Sequence, residues 1–288
     1  MAANCLSRIF LSLFVVICSV YGASIDSPVF GYHMRIGVPQ AVRISSLESM
    51  RIVGGSAVSA ATAIPHQVGI VARLTTGQQS VCGGSLLSTT RVLTAAHCWF
   101  DGEVQARQFT IVLGSLTIFT GGTRIDTTDV TMHPSWNYLL NDIAMVKISA
   151  VQLSTTIQVI PLPTAADVNQ NFAGTTGVIS GFGKTSDAQT SFPTSTALHQ
   201  TSVPIITNAV CQRSYQITID GSHLCTAGTG GKGTCDGDSG GPLTVLHNNK
   251  RILVGVVSFG PSEGCQASSP SVFSRVTSFL TWINNNLK

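Results

Sequence analysis

From Val68 onward, short runs rich in Val, Ile and Thr alternate with clusters of Gly, Ser and Thr: Val68–Leu74, Val81–Leu87, Arg91–Thr94, Phe109–Leu113 and Ile143–Ile148. β-branched residues suit a pleated, half-buried surface, so these runs predict strands. At Ile160-Pro-Leu-Pro163 the pattern breaks, because Pro161 and Pro163 bring no N–H to a central ladder. The boundary between two halves is placed between there and Gly174. A second β series follows: Thr176–Ser180, Thr201–Ile205, Leu243–His247, Ile252–Phe259 and Val272–Val276. Helix is scarce. At the C-terminus Val276, Phe279, Leu280, Ile283 and Leu287 recur at spacings of three and four, which predicts a helix over about 277–287 with its apolar face against the second half. Residues 23–51 carry few structural signals. The pattern as a whole predicts an all-β chain in two barrels or sandwiches, the first over about 68–160 and the second over about 174–276.

Composition changes the picture in two ways. Apolar residues make up 43% of the 288 and charged ones 10%, which is globular material. Arg8 followed by the 12-residue apolar run Ile9–Val20 reads as a secretory signal, too short to span a bilayer, with cleavage after Gly22 and after Ala23 as the alternative. The product is expected to be soluble and exported, without a membrane partner. Of the 8 cysteines, Cys5 and Cys18 leave with residues 1–22. Cys82, Cys98, Cys211, Cys225, Cys235 and Cys265 remain, an even set that implies three disulfides in one of fifteen connectivities. No CxxC or HxxxH spacing supports a metal site, and no dense acidic loop supports calcium, so no cofactor is expected. The longest basic cluster after Arg51, Lys250-Arg251, is no footprint for nucleic acid.

Four stretches carry chemistry. In Gly233-Thr-Cys-Asp-Gly-Asp-Ser-Gly-Gly-Pro242, Ser239 stands among glycines that permit a tight turn, where a hydroxyl can point outward and N–H groups converge. In Leu93-Thr-Ala-Ala-His-Cys98, a histidine ends a β run among small residues. In Asn141-Asp142-Ile-Ala-Met-Val146, a carboxylate heads an apolar run, where it needs a partner. In Arg51-Ile-Val-Gly-Gly55, an arginine precedes a small apolar start that suits processing. Gly237-Asp-Ser-Gly-Gly241 also satisfies G-x-S-x-G, but that elbow needs a following helix and a later acid and histidine. Here Pro242 and a β run follow, and His247 is the only later histidine, with no Asp between.

The motifs Ile52-Val-Gly-Gly55, Thr94-Ala-Ala-His-Cys98, Asp142-Ile-Ala-Met145, Gly237-Asp-Ser-Gly-Gly-Pro242 and Ser258-Phe-Gly260 resemble those of the chymotrypsin-like serine proteases, over essentially all of 52–288. The resemblance implies two six-stranded antiparallel barrels with a C-terminal helix and the site between the barrels. It would pair Cys82 with Cys98, Cys211 with Cys225 and Cys235 with Cys265. It gives Ser239 the role of nucleophile, His97 that of base and acid, Asp142 that of orienting carboxylate, and the N–H groups of Gly237 and Ser239 that of oxyanion hole. Residues 23–51 become a pro-segment, cut after Arg51 by a trypsin-like protease. The Ile52 ammonium would then pair with Asp238. The pro-segment has no cysteine and so should not stay tethered after the cut.

The resemblance also reaches the substrate pocket, at Gly233, Asp236, Ser258, Gly260 and Ser271. Gly233 stands where trypsins carry an Asp, so cleavage after Lys or Arg is not expected. Gly260 leaves the mouth open to a large side chain. Ser271 stands where many relatives have Gly, and Asp236 at the rim should discourage acidic residues. Phe182 and Phe259 replace the usual Trp. The implied enzyme is a secreted, monomeric digestive endopeptidase that cleaves after Phe, Tyr, Leu or Met. Its partners would be protein substrates, an activating protease and protein inhibitors. The alternatives are elastase-type or collagenolytic specificity and an inert binding scaffold. The last is disfavoured by the intact His97, Asp142 and Ser239; a secreted β-sandwich lectin would leave Arg51-Ile52 and Asp142 unexplained.

Overall fold

The computed structural model describes residues 27–50, 64–138, 140–187 and 198–288. The signal segment 1–22 and both residues of the expected processing bond, Arg51 and Ile52, lie outside the described residues. In the first half, β1 (Gln67–Leu74), β2 (Gln79–Ser88), β3 (Arg91–Thr94), β4 (Ala106–Leu113), β5 (Thr123–Thr127), β6 (Val130–Met132) and β7 (Ala144–Lys147) make one antiparallel sheet. Its order is β5-β4-β1-β2-β3-β7-β6, a seven-stranded half-barrel. In the second half, β8 (Thr176–Gly181), β9 (His199–Ile206), β10 (His223–Thr226), β11 (Pro242–His247), β12 (Lys250–Phe259) and β13 (Ser271–Arg275) close into a barrel in the order β10-β13-β12-β11-β8-β9.

Alternation along the strands builds the two cores. In β1, Val68, Ile70, Ala72 and Leu74 face Leu86, Leu93, Phe109, Ile111 and Val146. In the barrel, Ile179, Val203, Ile205, Leu224, Leu243, Val245, Val254 and Phe273 fill the interior. Each such side chain contributes about 1.5–3 kcal/mol on leaving water. The disulfides Cys82–Cys98, Cys211–Cys225 and Cys235–Cys265 follow the pairing that the resemblance implied. Each contributes about 3–4 kcal/mol in the chain-entropy account.

Three strands have no counterpart in the sequence reading. β5 is the polar edge segment Thr-Arg-Ile-Asp-Thr, and β6 and β10 span three and four residues. Such segments form because the sheet supplies partners, and propensity hardly marks them. The C-terminal helix also departs from expectation. A 3-10 turn, Val276–Phe279, precedes the terminal helix Leu280–Asn286, and the apolar residues of both join chiefly the first-half core. Phe279 packs edge-on and Trp282 at a tilt against His133, and Arg91 Nε donates to the Asn286 carbonyl at 2.9 Å. The helix therefore straps the end of the chain across the first sheet instead of covering the second half alone.

The largest difference lies at the N-terminal side, where few signals were read. A π-helical turn, His33–Gly37, runs into α1 (Val38–Met50), and a one-turn helix, α2 (Asn208–Cys211), lies between β9 and β10. Val38, Ala41, Ile44 and Leu47 are all buried. Ala41 and Ile44 pack with Val71, Val81, Ile118 and Phe182.

Candidate active site

β3 ends at Thr94, and a 3-10 turn, Ala96–Cys98, follows it. The Cys82–Cys98 disulfide ties this turn to β2, which leaves His97 fully buried between the halves. Its Nδ1 lies 2.7 Å from Asp142 Oδ2, and its backbone N–H donates to Asp142 Oδ1 at 2.9 Å. Asp142 is turned inward just before β7 by Asn141, which takes the left-handed φ of 59°. Ser258 Oγ on β12 donates to Asp142 Oδ2 at 2.6 Å, and Ser274 Oγ on β13 donates to its carbonyl at 2.6 Å. Burial alone would raise this carboxyl, but the neighbouring imidazole and the hydrogen bonds hold it below the ordinary carboxylate value.

Ser239 sits in the turn that leads into β11, cinched by Cys235–Cys265. Gly83 N–H on β2 donates to the Ser239 carbonyl at 2.7 Å, so the strand that carries Cys82 also fixes the serine backbone. Gly240 has φ of 80°, and a Cβ there would stand 2.2 Å from Thr94 Oγ1 and 2.5 Å from the Gly83 carbonyl. Only glycine lets the serine turn come this close to β2 and β3. His97, Asp142 and Ser239 thus meet in one cleft between the halves. Among the described residues no hydrogen bond joins Ser239 Oγ to His97 Nε2; Nε2 lies 3.9 Å from Cys98 Sγ.

Asp238 is buried, and its carboxylate accepts from Gly183 N–H at 2.8 Å and Cys235 N–H at 2.9 Å. Burial outweighs those bonds and pushes its pKa from 3.8 up to about 6. A cavity of about 230 Å³ opens beside it, lined in part by Gly183, Lys184 and Gly233. Asp236, expected to repel acidic residues at the rim, is paired with Lys184 Nζ at 2.7 Å, which offsets its charge.

Ser239, Asp236, Ser258, Phe259 and Gly260 line a larger cavity of about 810 Å³. Gly233 and Ser271 do not line it. They lie together behind its wall, where Ser271 Oγ accepts from Thr234 N–H at 3.1 Å and a Cβ on Gly233 would stand 2.8 Å from that oxygen. Ser258 therefore has a second partner that the pocket reading missed, the Asp142 carboxylate. Nothing in the sequence marks which carboxylate a small buried hydroxyl will meet. The N-terminal contributors were missed as well. The Tyr32 ring packs on the His97 imidazole at 4.6 Å, and Gln40 Cγ would lie 3.8 Å from a Cβ on Gly237. The recurrence of Val38, Ala41, Ile44 and Leu47 every three residues was the readable sign of that helix.

Among the described residues, two groups of side chains have metal-like spacing, Cys82 with His97 and Cys98, and Asp187 with Cys235 and Cys265. In both, the cysteines are disulfide-bonded and offer no thiolate.

Residues 52–283 match the family model described as Trypsin. Brachyurin of Leptuca pugilator is 41% identical over 225 residues, covering 76% of this chain and 91% of that protein. Collagenase of Hypoderma lineatum is 34% identical over 249 residues, covering 84% of this chain and 90% of its own length. A solved structure described as HL collagenase aligns with a TM-score of 0.71 at 33% identity, covering 82% of this chain and 97% of that one. With this match and a buried His–Asp pair facing a serine turn, the chain belongs to the trypsin family of chymotrypsin-like serine proteases and is a serine endopeptidase.

Proposed function

We propose that this endopeptidase is secreted with residues 1–22 as signal and 23–51 as pro-segment, and that it cleaves dietary protein after Phe, Tyr, Leu or Met once cut at Arg51. The observation that carries the catalytic part is the 2.7 Å bond from His97 Nδ1 to the buried Asp142, in the cleft that holds Ser239. A carboxylate bound at Nδ1 fixes the tautomer, so Nε2 is the nitrogen free to take the Ser239 proton. Ser239 then attacks the scissile carbonyl, His97 passes the proton to the leaving amine, and Asp142 stabilises the imidazolium. The N–H groups of Gly237 and Ser239 hold the developing oxyanion.

The freed Ile52 ammonium enters beside Asp238. That carboxylate is buried with two N–H donors and, among the described residues, no cation, a combination that favours an incoming positive charge. Gly233 offers a basic side chain no counter-charge, which supports apolar specificity. The enzyme acts as a monomer on protein substrates, and protein inhibitors are further partners. One observation favours a second reading, elastase-type or collagenolytic specificity: the Ser271 hydroxyl fills the space against Gly233 behind the cavity wall, which leaves a large side chain no extra depth there. Hydrolysis of matched peptide amides ending in Phe, Leu, Ala or Arg, after activation with immobilised trypsin, separates the two. Highest activity on Phe or Leu supports the first, Ala the second, and Arg refutes both.

A further inference from the structure

We propose that residues 27–50 are an inhibitor of this protease carried in its own chain, covering the catalytic cleft in the uncut protein and staying on it non-covalently after the cut at Arg51. This rests on the protease reading and on the Arg51 cut proposed above.

The segment touches the reacting groups themselves. Tyr32 sets its ring edge-on against the His97 imidazole, with centroids 4.6 Å apart and the ring planes at 62°. Its hydroxyl donates to the Val81 carbonyl at 2.7 Å and lies beside the Ser239 hydroxyl. A substrate carbonyl cannot enter between Ser239 and His97 while that ring is there. On one side, Val29 packs with Phe259 and Tyr215, both of which line the substrate cavity. On the other, Gln40 lies beside Gly237, whose N–H belongs to the oxyanion hole. The chain therefore crosses the whole cleft, from the cavity wall over the catalytic pair to the serine turn.

The hold is built from residues that precede Arg51. The buried Glu48 carboxylate accepts from Ile118 N–H at 2.7 Å, Phe119 N–H at 2.8 Å and Thr120 Oγ1 at 3.1 Å. His33 N–H donates to Asp101 Oδ2 at 2.7 Å, and its Nδ1 lies 2.9 Å from Ser80 Oγ. Gly37 sits so close on β2 that a Cβ would stand 1.9 Å from Ser80 Oγ. Cutting the bond after Arg51 removes none of these contacts, so the cut alone does not clear the cleft. Arg35 is exposed and Arg43 half-buried, with Arg43 Nε donating to Gln40 Oε1 at 2.8 Å. A trypsin-like protease that cuts first at Arg51 can thus dismantle the segment later at Arg35.

The test uses the full-length precursor, with an Arg35→Gln form in parallel to keep the segment whole. It is cut by trypsin, the new N-terminus is read by mass spectrometry, and hydrolysis of a small peptide amide is expressed per cut chain before and after thousand-fold dilution. The expected result is co-elution of the fragment with the Ile52 chain at micromolar concentration and at least a tenfold rise in specific activity on dilution. In Tyr32→Ala, and in Glu48→Gln far from the cleft, activity should follow the cut without delay. Specific activity equal at every concentration, with the fragment eluting apart, overturns the proposal. A chain that starts at Ile52, is freed of the fragment and is still inert refutes the protease reading instead. If Arg51 is not cut, retention after the cut falls with the activation reading, and fluorophosphonate labelling of the uncut protein decides the rest. A tenfold faster reaction at Ser239 in either variant supports occlusion, and an unchanged rate overturns it.

Discussion

Asp238 makes the uncut protein sensitive to pH in a direction opposite to most carboxylates. Its pKa is raised from 3.8 to about 6 by burial, against the pull of two backbone donors. The folded protein therefore binds a proton that the unfolded chain has already lost between about pH 4 and 6, and stability falls as pH rises through that window. A shift of about 2 units at about 1.4 kcal/mol each gives a loss of about 3 kcal/mol by pH 7. Asp238→Asn removes the titration. The amide leaves the Cys235 N–H facing a poor partner, which costs about 1–3 kcal/mol, but at every pH alike. Urea unfolding of the uncut protein with disulfides intact, followed by tryptophan fluorescence at pH 4, 5, 6 and 7, reads the difference. The wild type should lose about 2.4 kcal/mol more than the variant between the two ends, because the unfolded carboxyl is already about 60% ionised at pH 4. Parallel pH profiles would refute a buried Asp238 that has, among the described residues, N–H donors but no cation.

The neighbouring groups give further expectations. Ser258→Ala deletes the 2.6 Å bond to Asp142; at about 2 kcal/mol for a hydrogen bond to a charged group, kcat of the cut enzyme should fall about thirtyfold with KM little changed. Gly240→Ala places a Cβ 2.2 Å from Thr94 Oγ1 at a φ of 80°, so thermal melting should show a lower Tm and peptide hydrolysis should be lost. Ser271→Gly removes the hydroxyl beside Gly233 and should raise the ratio of kcat/KM for Tyr over Ala amides.

The sequence made the catalytic half of the site legible because its groups sit in contiguous motifs. His97, Asp142 and Ser239 each lie next to residues that fix their backbone: Cys98, Asn141 and Gly240. Long strands such as β1 and β12 were legible for a similar reason, since runs dominated by Val, Ile and Leu favour buried strand positions. Polar edge strands were not, because β5 is held by pairing with β4 and its own side chains say little. Ser258 and Ser274 reach Asp142 from strands 116 and 132 residues away, a convergence that only the closed barrel creates. The helix over residues 38–50 was not legible because its apolar stripe is short and interrupted by Arg, Gln and Ser. Its fold comes from the cleft it lies in, and an isolated helix of 13 residues would be marginal in water.

The most direct test of catalysis by His97, Asp142 and Ser239 is fluorophosphonate labelling of the cut, fragment-free enzyme, with the modified peptide located by mass spectrometry. One label per chain on Ser239, abolished in His97→Ala and accompanied by loss of amide hydrolysis, is the predicted result. A label on another residue, or hydrolysis that survives His97→Ala, would contradict it.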